Sequence, residues 1–271
     1  MDRPDADDRT ADAPPEAELD PLLPIEADPE GRGGRAGGRL PVTQLLPNLV
    51  TLLGLSAGLT SIRFAFDDNL SLAAGLLVFA ALIDGMDGLL ARRLNAASPV
   101  GAELDSLSDF VCFGVAPAML VYRFGLSDLY GLGWLAALFL AICCCMRLAR
   151  FNVMAKDPAQ DVSGHFVGVP APAGAMLALM PVFLFLAQIV DLRVAPAIVA
   201  LWTVVVGTLM VARFRTISLK AVRIDRDNAV YVLLGAAVVI GLMLTRIWLF
   251  CVIAGVIYLS ILVWGVARRR T

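Results

Sequence analysis

Asp84 and Asp87 stand three residues apart, and Asp105 and Asp109 stand four apart. At helical periodicity each pair shares one face. A short connection through Asn95, Ser98 and Pro99 makes the two helices antiparallel neighbours, so that four carboxylates converge. Such a cluster repels itself unless cations neutralise it. All-oxygen ligation selects a hard divalent ion, Mg²⁺ or Mn²⁺, over zinc. A four-carboxylate site has room for two ions, which suits displacement at phosphorus. Gly88 and Gly101 leave space for a phosphate or a neighbouring backbone. Arg92, two turns beyond Asp84, is placed to reach a phosphate oxygen. Solvated helix ends also collect Asp and Gly, and an acidic residue complements a helix start. That reading accounts for one or two of these residues. It does not account for four carboxylates beside apolar helices, where ionisable groups are expensive and usually functional.

The elements that must position them are membrane helices. The chain is 59% hydrophobic and 17% charged, with a mean hydropathy of +0.78. Apolar windows near 42–64, 70–90, 106–124, 130–148, 170–190, 194–212, 229–244 and 247–266 approach the length that crosses a bilayer. The alternation of a barrel strand is absent, and open strands cannot satisfy their backbone in lipid. The expected fold is therefore all-α: a polytopic bundle of about eight transmembrane helices, with both termini on one side. Arg63, Arg123, Arg193 and Arg246 fall at the opposite side, and the other eighteen of the 22 Lys and Arg fall on the side of the termini. The positive-inside rule makes that side, and the carboxylates with it, cytoplasmic.

Residues 1–40 hold eleven Asp and Glu and five Arg with almost no aliphatic run, which predicts a disordered acidic cytoplasmic tail. Its start lacks the apolar core and cleavage site of a signal peptide. Residues 41–228 form the membrane domain that carries the carboxylates, and 229–271 add two transmembrane helices and a basic C-terminus. The net charge of -2 reflects the tail, and no nucleic-acid partner is expected. The five cysteines lie in apolar stretches without C-x-x-C spacing and read as small packed hydrophobes.

Residues 84–109 match every fixed position of Asp-x-x-Asp-Gly-x-x-Ala-Arg-x8-Gly-x3-Asp-x3-Asp. This resembles the signature of the CDP-alcohol phosphatidyltransferases. The resemblance implies that Asp84, Asp87, Asp105 and Asp109 bind a dimetal centre of Mg²⁺ or Mn²⁺, with Asp109 also the general base. It implies that Gly88, Arg92 and Ser98 contact CDP-diacylglycerol, as does Asp84, and that the enzyme is a homodimer in the cell (inner) membrane. Pro47-Asn48-Leu49-Val50-Thr51 is similar to the family's Pro-Asn-x-x-Thr element, which assigns Asn48 and Thr51 to the nucleotide. The plainer reading of that segment is a Pro-kinked helix start whose Asn and Thr bond their own backbone.

Arg147-Leu148-Ala149-Arg150-Phe151-Asn152 and Phe166-Val167-Gly168-Val169-Pro170-Ala171-Pro172 resemble elements of the phosphatidylserine synthase branch. The implied acceptor is L-serine, and the implied products are phosphatidylserine and CMP. Arg150 suits an amino-acid carboxylate through two parallel hydrogen bonds, and Asn152 suits the ammonium or hydroxyl. Against this, Arg147 and Arg150 also fit a plain helix anchor at the head groups. His165, the only histidine, receives no role. Two other classes compete. A sister transferase would use choline, glycerol 3-phosphate or an inositol phosphate, and the basic run 213–226 suits a phosphorylated acceptor. A cation transporter would place its ligands near the midplane, whereas these carboxylates cluster at one edge.

The orientation has a direct check. A cysteine introduced at position 269 is expected to react with a membrane-impermeant maleimide only after the cytoplasmic side is opened; labelling on intact cells would reverse the topology.

Overall fold

The computed structural model describes residues 42–94, 99–156, 166–167, 169–212, 215–216, 235, 241–243 and 245–267. The acidic tail and most of the seventh apolar window, 229–244, lie outside the described residues. Within them the chain is a helical membrane bundle. Four stretches are long and apolar enough to cross a bilayer: Leu46–Phe66, Val100–Leu129, Gly131–Met154 and Ile247–Gly265.

Helix α1 (Val42–Phe66) packs along α2 (Leu70–Leu94) through a three-residue turn. Asp68 adopts a left-handed φ of 56° there, and Asn69 Oδ1 accepts from Leu72 N at 3.2 Å to cap α2. Gly58 lets α1 approach the third span closely, since a Cβ at that position would lie 2.7 Å from Cys112 Sγ.

The third span starts earlier than the expected window of 106–124. It opens as α3 (Pro99–Asp109), with proline at the first turn, where its missing N–H costs nothing. A π-helical stretch, Phe110–Val115, follows directly after Asp109. The span then continues as α4 (Ala116–Val121), a second π turn (Tyr122–Leu126) and a 3-10 turn (Ser127–Leu129). Helix α5 (Gly131–Lys156) returns antiparallel to it and packs along α8 (Pro196–Val211).

The fifth window, 170–190, is two short helices rather than one, α6 (Ala171–Ala178) and α7 (Met180–Leu186). Pro181 is the cause: it has no N–H to give to the Leu177 carbonyl, and its ring disfavours a continuous helix. Trp202 of α8 takes up that carbonyl, with Nε1 donating to Leu177 O at 2.8 Å. The lost backbone bond is thus replaced by a neighbouring helix, as a low-dielectric interior requires. Helix α9 (Ile247–Ala267) packs against α7 and α6. A two-residue antiparallel pair joins Phe166–Val167 to Arg215–Thr216, the one strand pairing among the described residues.

Connectivity puts the start of α1, the end of α2, the start of α3 and the ends of α5 and α8 at one face of the bundle. The opposite face carries ion pairs: Arg63 with Asp67 at 3.7 Å, Arg123 with Asp68 at 2.8 Å, and Arg193 with Asp191 at 2.7 Å. The hydrogen bonds from Arg193 hold the Asp191 carboxyl below its ordinary value.

The α4–α5 corner should be intolerant of bulk. A Cβ at Gly133 would lie 1.9 Å from the Leu126 carbonyl oxygen, whereas one at Gly131 meets nothing within 4 Å. Gly133→Ala is expected to destabilise by at least the ~1–3 kcal/mol of ordinary overpacking. Thermal unfolding in detergent should show a lowered Tm for Gly133→Ala and an unchanged one for Gly131→Ala.

Candidate active site

The carboxylates meet where α2 ends and α3 begins. Asp84, Asp105 and Asp109 each offer an oxygen, and these oxygens lie within 4.8 Å of one another. All three residues are half-buried. Asp84 and Asp109 are close enough to share a hydrogen bond, a juxtaposition that needs either a proton or a cation between them. Among the described residues the group is made of carboxylates alone, and three converging carboxylates fit a hard divalent ion and would hold it. Asp87 lies one turn beyond Asp84 on α2, and its side chain is outside the described residues. The same is true of Gly88 and Arg92 on α2, and Ser98 lies in the undescribed segment 95–98.

Helix α1 forms the wall behind the cluster. Thr51, Gly54, Ser108 and Cys112 line a small pocket with the three aspartates. Ser108 Oγ donates to the Thr51 carbonyl at 3.4 Å and Cys112 Sγ to the Gly54 carbonyl at 3.3 Å, so the third span is bonded to α1 on both sides of Asp109. Thr51 Oγ1 donates to Pro47 O at 3.1 Å, the local backbone bond that the proline-threonine spacing allows. Asn48 is half-buried on the same helix, one turn before Thr51.

The end of α5 closes the other side. Asn152 Nδ2 donates to Ser106 Oγ at 3.0 Å, and Ser106 Oγ in turn donates to Ala102 O at 3.0 Å. Asn152 is thereby fastened to the residue next to Asp105. Arg150 is exposed, and its guanidinium donates to the Val211 carbonyl at the end of α8, at 2.9 Å. Arg147 is half-buried and donates through Nε to the Val169 carbonyl. His165 lies outside the described residues.

A family profile described as CDP-alcohol phosphatidyltransferase matches residues 44–212, which contain the cluster, its α1 wall and the end of α5. The chain belongs to this family. It is 46% identical over 145 residues to the CDP-diacylglycerol–serine O-phosphatidyltransferase of Mycobacterium tuberculosis, covering 53% of this chain and 49% of that protein. It is 33% identical over 170 residues to the enzyme of the same name from Bacillus subtilis, covering 63% of this chain and 88% of that one. It is 35% identical over 133 residues to the archaetidylserine synthase of Methanothermobacter thermautotrophicus, covering 48% of this chain and 54% of that one. The chain spans about half the length of the mycobacterial relatives it matches.

Membership of the CDP-alcohol phosphatidyltransferases was readable from the aspartate spacing. The supporting contacts were not. Ser108 and Cys112 lie three and seven residues beyond Asp105, so they follow it along one side of the span, but only the packing against Gly54 and Gly58 reveals that side as the α1 interface. Ser106 carries no motif, and its bond to Asn152 spans 46 residues of sequence.

Metal binding can be tested apart from turnover. Purified metal-free protein should bind Mn²⁺ saturably, followed by the loss of the free-ion electron paramagnetic resonance signal. Asp84→Asn and Asp105→Asn should each weaken binding by about tenfold or more, since affinity follows ligand charge. Removing one like charge should leave the metal-free Tm unchanged or raised; wild-type affinity in both variants would remove these residues from the site.

Proposed function

We propose that this protein transfers a phosphatidyl group from CDP-diacylglycerol to L-serine, releasing CMP and forming phosphatidylserine. The observation that carries the proposal is the fastening of Asn152 to Ser106, which brings the Arg-x-Ala-Arg-Phe-Asn end of α5 beside the carboxylates of a CDP-alcohol phosphatidyltransferase. The names of the relatives support serine as the acceptor.

In this reading Asp84, Asp87, Asp105 and Asp109 hold Mg²⁺ or Mn²⁺, as two ions. The ions supply charge neutralisation at the diphosphate. Asn48, Thr51, Gly88, Arg92 and Ser98 contact the nucleotide and phosphates of CDP-diacylglycerol. Asp109 accepts the proton of the serine hydroxyl, whose oxygen bonds to the phosphorus bearing diacylglycerol as the bond to the CMP oxygen breaks. Arg150 and Asn152 are the acceptor contacts chosen from sequence. Arg150 donates to Val211 O and Asn152 to Ser106 Oγ, so both side chains are held by neighbouring helices. The basic asymmetry supports a cytoplasmic site with both termini on that side of the cell membrane, and the family resemblance implies a homodimer. The residues divide into the tail 1–40, the transferase domain 41–228 and the terminal pair of helices 229–271.

The deciding assay follows CMP release from CDP-diacylglycerol with L-serine, choline or glycerol 3-phosphate as acceptor. Serine should give the highest kcat/KM; a higher value for either rival would keep the family and discard the acceptor. Asp109→Asn should lower the rate at least ~10²-fold, the scale of general base catalysis, with CDP-diacylglycerol binding retained. A rate within about tenfold of wild type would assign the proton to another group.

A further inference from the structure

Asn152 comes to the site as an amide, whose NH₂ donates and whose carbonyl accepts. Which of the two a substrate meets is set by Ser106. The hydroxyl of Ser106 has one proton and two lone pairs. Three groups lie within hydrogen-bond range of its Oγ: Ala102 O at 3.0 Å, Asn152 Nδ2 at 3.0 Å and Asn152 Oδ1 at 3.2 Å. The Ala102 carbonyl is nearer than Oδ1 and is held in place by α3, one turn back, so it takes the proton. What Ser106 then offers Asn152 is a lone pair, which Nδ2 alone can use. The amide is fastened by its nitrogen, and its oxygen is left as an acceptor. Among the described residues, the one donor within range of Oδ1 is the hydroxyl whose proton is already committed.

Both side chains are half-buried, and Ser106 directly follows Asp105. The open carbonyl oxygen is thereby held on a bond to the neighbour of a cluster carboxylate. L-serine has three polar groups to place there. Its hydroxyl gives its proton to Asp109 in the mechanism above, and its carboxylate only accepts. The ammonium, with three N–H donors, is the group that can satisfy Oδ1. Choline has a quaternary nitrogen without an N–H and cannot use that oxygen.

We propose that Ser106 is a positioning residue for acceptor selection: it fixes Asn152 as a hydrogen-bond acceptor for the ammonium of the amino-acid substrate. This rests on the serine reading above and on Asn152 as the contact named there.

The test measures KM and kcat for L-serine on the full chain in lipid nanodiscs, together with the Ki of 3-hydroxypropanoate as a competitor of serine. That analogue keeps the hydroxyl and the carboxylate and lacks the ammonium. Ser106→Ala removes the lone pair and leaves a good helix former in α3. It should raise KM for serine about three- to tenfold, the worth of one hydrogen bond, with kcat, KM for CDP-diacylglycerol and the Ki all within about twofold of wild type. Asn152→Ala should raise KM for serine at least as much. Adding Ser106→Ala to it should change KM by less than about twofold, because the hydroxyl acts only through the amide. An unchanged serine KM in Ser106→Ala, additive effects in the double variant, or an equal rise in the Ki would each overturn the proposal while leaving the serine reading intact. A loss that falls on kcat instead would make Ser106 a support of the carboxylates and overturn it as well. Wild-type protein that releases no CMP with serine would overturn both readings.

Discussion

Mutual repulsion among Asp84, Asp105 and Asp109 is the constraint around which this bundle is organised. Two unit charges about 4 Å apart near a protein surface interact by about 4 kcal/mol, and three carboxylates within 4.8 Å contain three such pairs. Packing must hold them together, because nothing in their own chemistry does so without a proton or a cation. The restraint comes from α1 through Ser108 and Cys112, and from α5 through the Asn152–Ser106 bond. The π-helical stretch starts at Phe110, directly after Asp109. Such wide turns shift the register of the side chains that follow and are frequent at functional sites. Here the buried residues Cys112, Phe113 and Gly114 fall within it, so the change of register coincides with the packing against α1 and α5.

Other parts of the fold follow the same rule that a polar group away from water must find a partner. Pro181 frees the Leu177 carbonyl, and Trp202 binds it. Arg147 enters the half-buried interior and spends one nitrogen on the Val169 carbonyl. Each exception to regular helix is thus a tie between two helices, and together these ties fix α5, α6 and α8 relative to one another. Tyr258 is the described side chain on α9 that departs from this pattern, since its buried hydroxyl has no partner.

The aspartates were legible because their chemistry is written in local spacing: three and four residues translate directly into one helix face. The long apolar spans were legible because hydropathy sums over many residues. What could not be read depended on distant partners. The window 106–124 missed the polar first turns of α3, where Glu103 and Asp105 lower the hydropathy although the helix already runs from Pro99. The window 170–190 is apolar up to Gln188, which hid the break at Pro181 that Trp202 makes tolerable. Asn152 was legible from the Arg-x-Ala-Arg-Phe-Asn element, but its bond to Ser106 depends on how α5 lies against α3. Tyr258 sits in a uniformly apolar helix, where its spacing matches no motif and only burial marks it out.

The ion pairs on the face away from the carboxylates bear on how the chain enters the membrane. Work against a transmembrane potential is about 2.3 kcal/mol per elementary charge per 100 mV. Arg63 and Asp67 travel on the same hairpin with Asp68, and Arg193 travels with Asp191, two residues away. Each such turn carries its counter-charge with it. The hairpin reaches electrical balance once Arg123 arrives with the next span and pairs with Asp68. In the proposed orientation with cytoplasmic termini, the field then does little net work on these turns during insertion, and the arginines cross as partners rather than as bare cations.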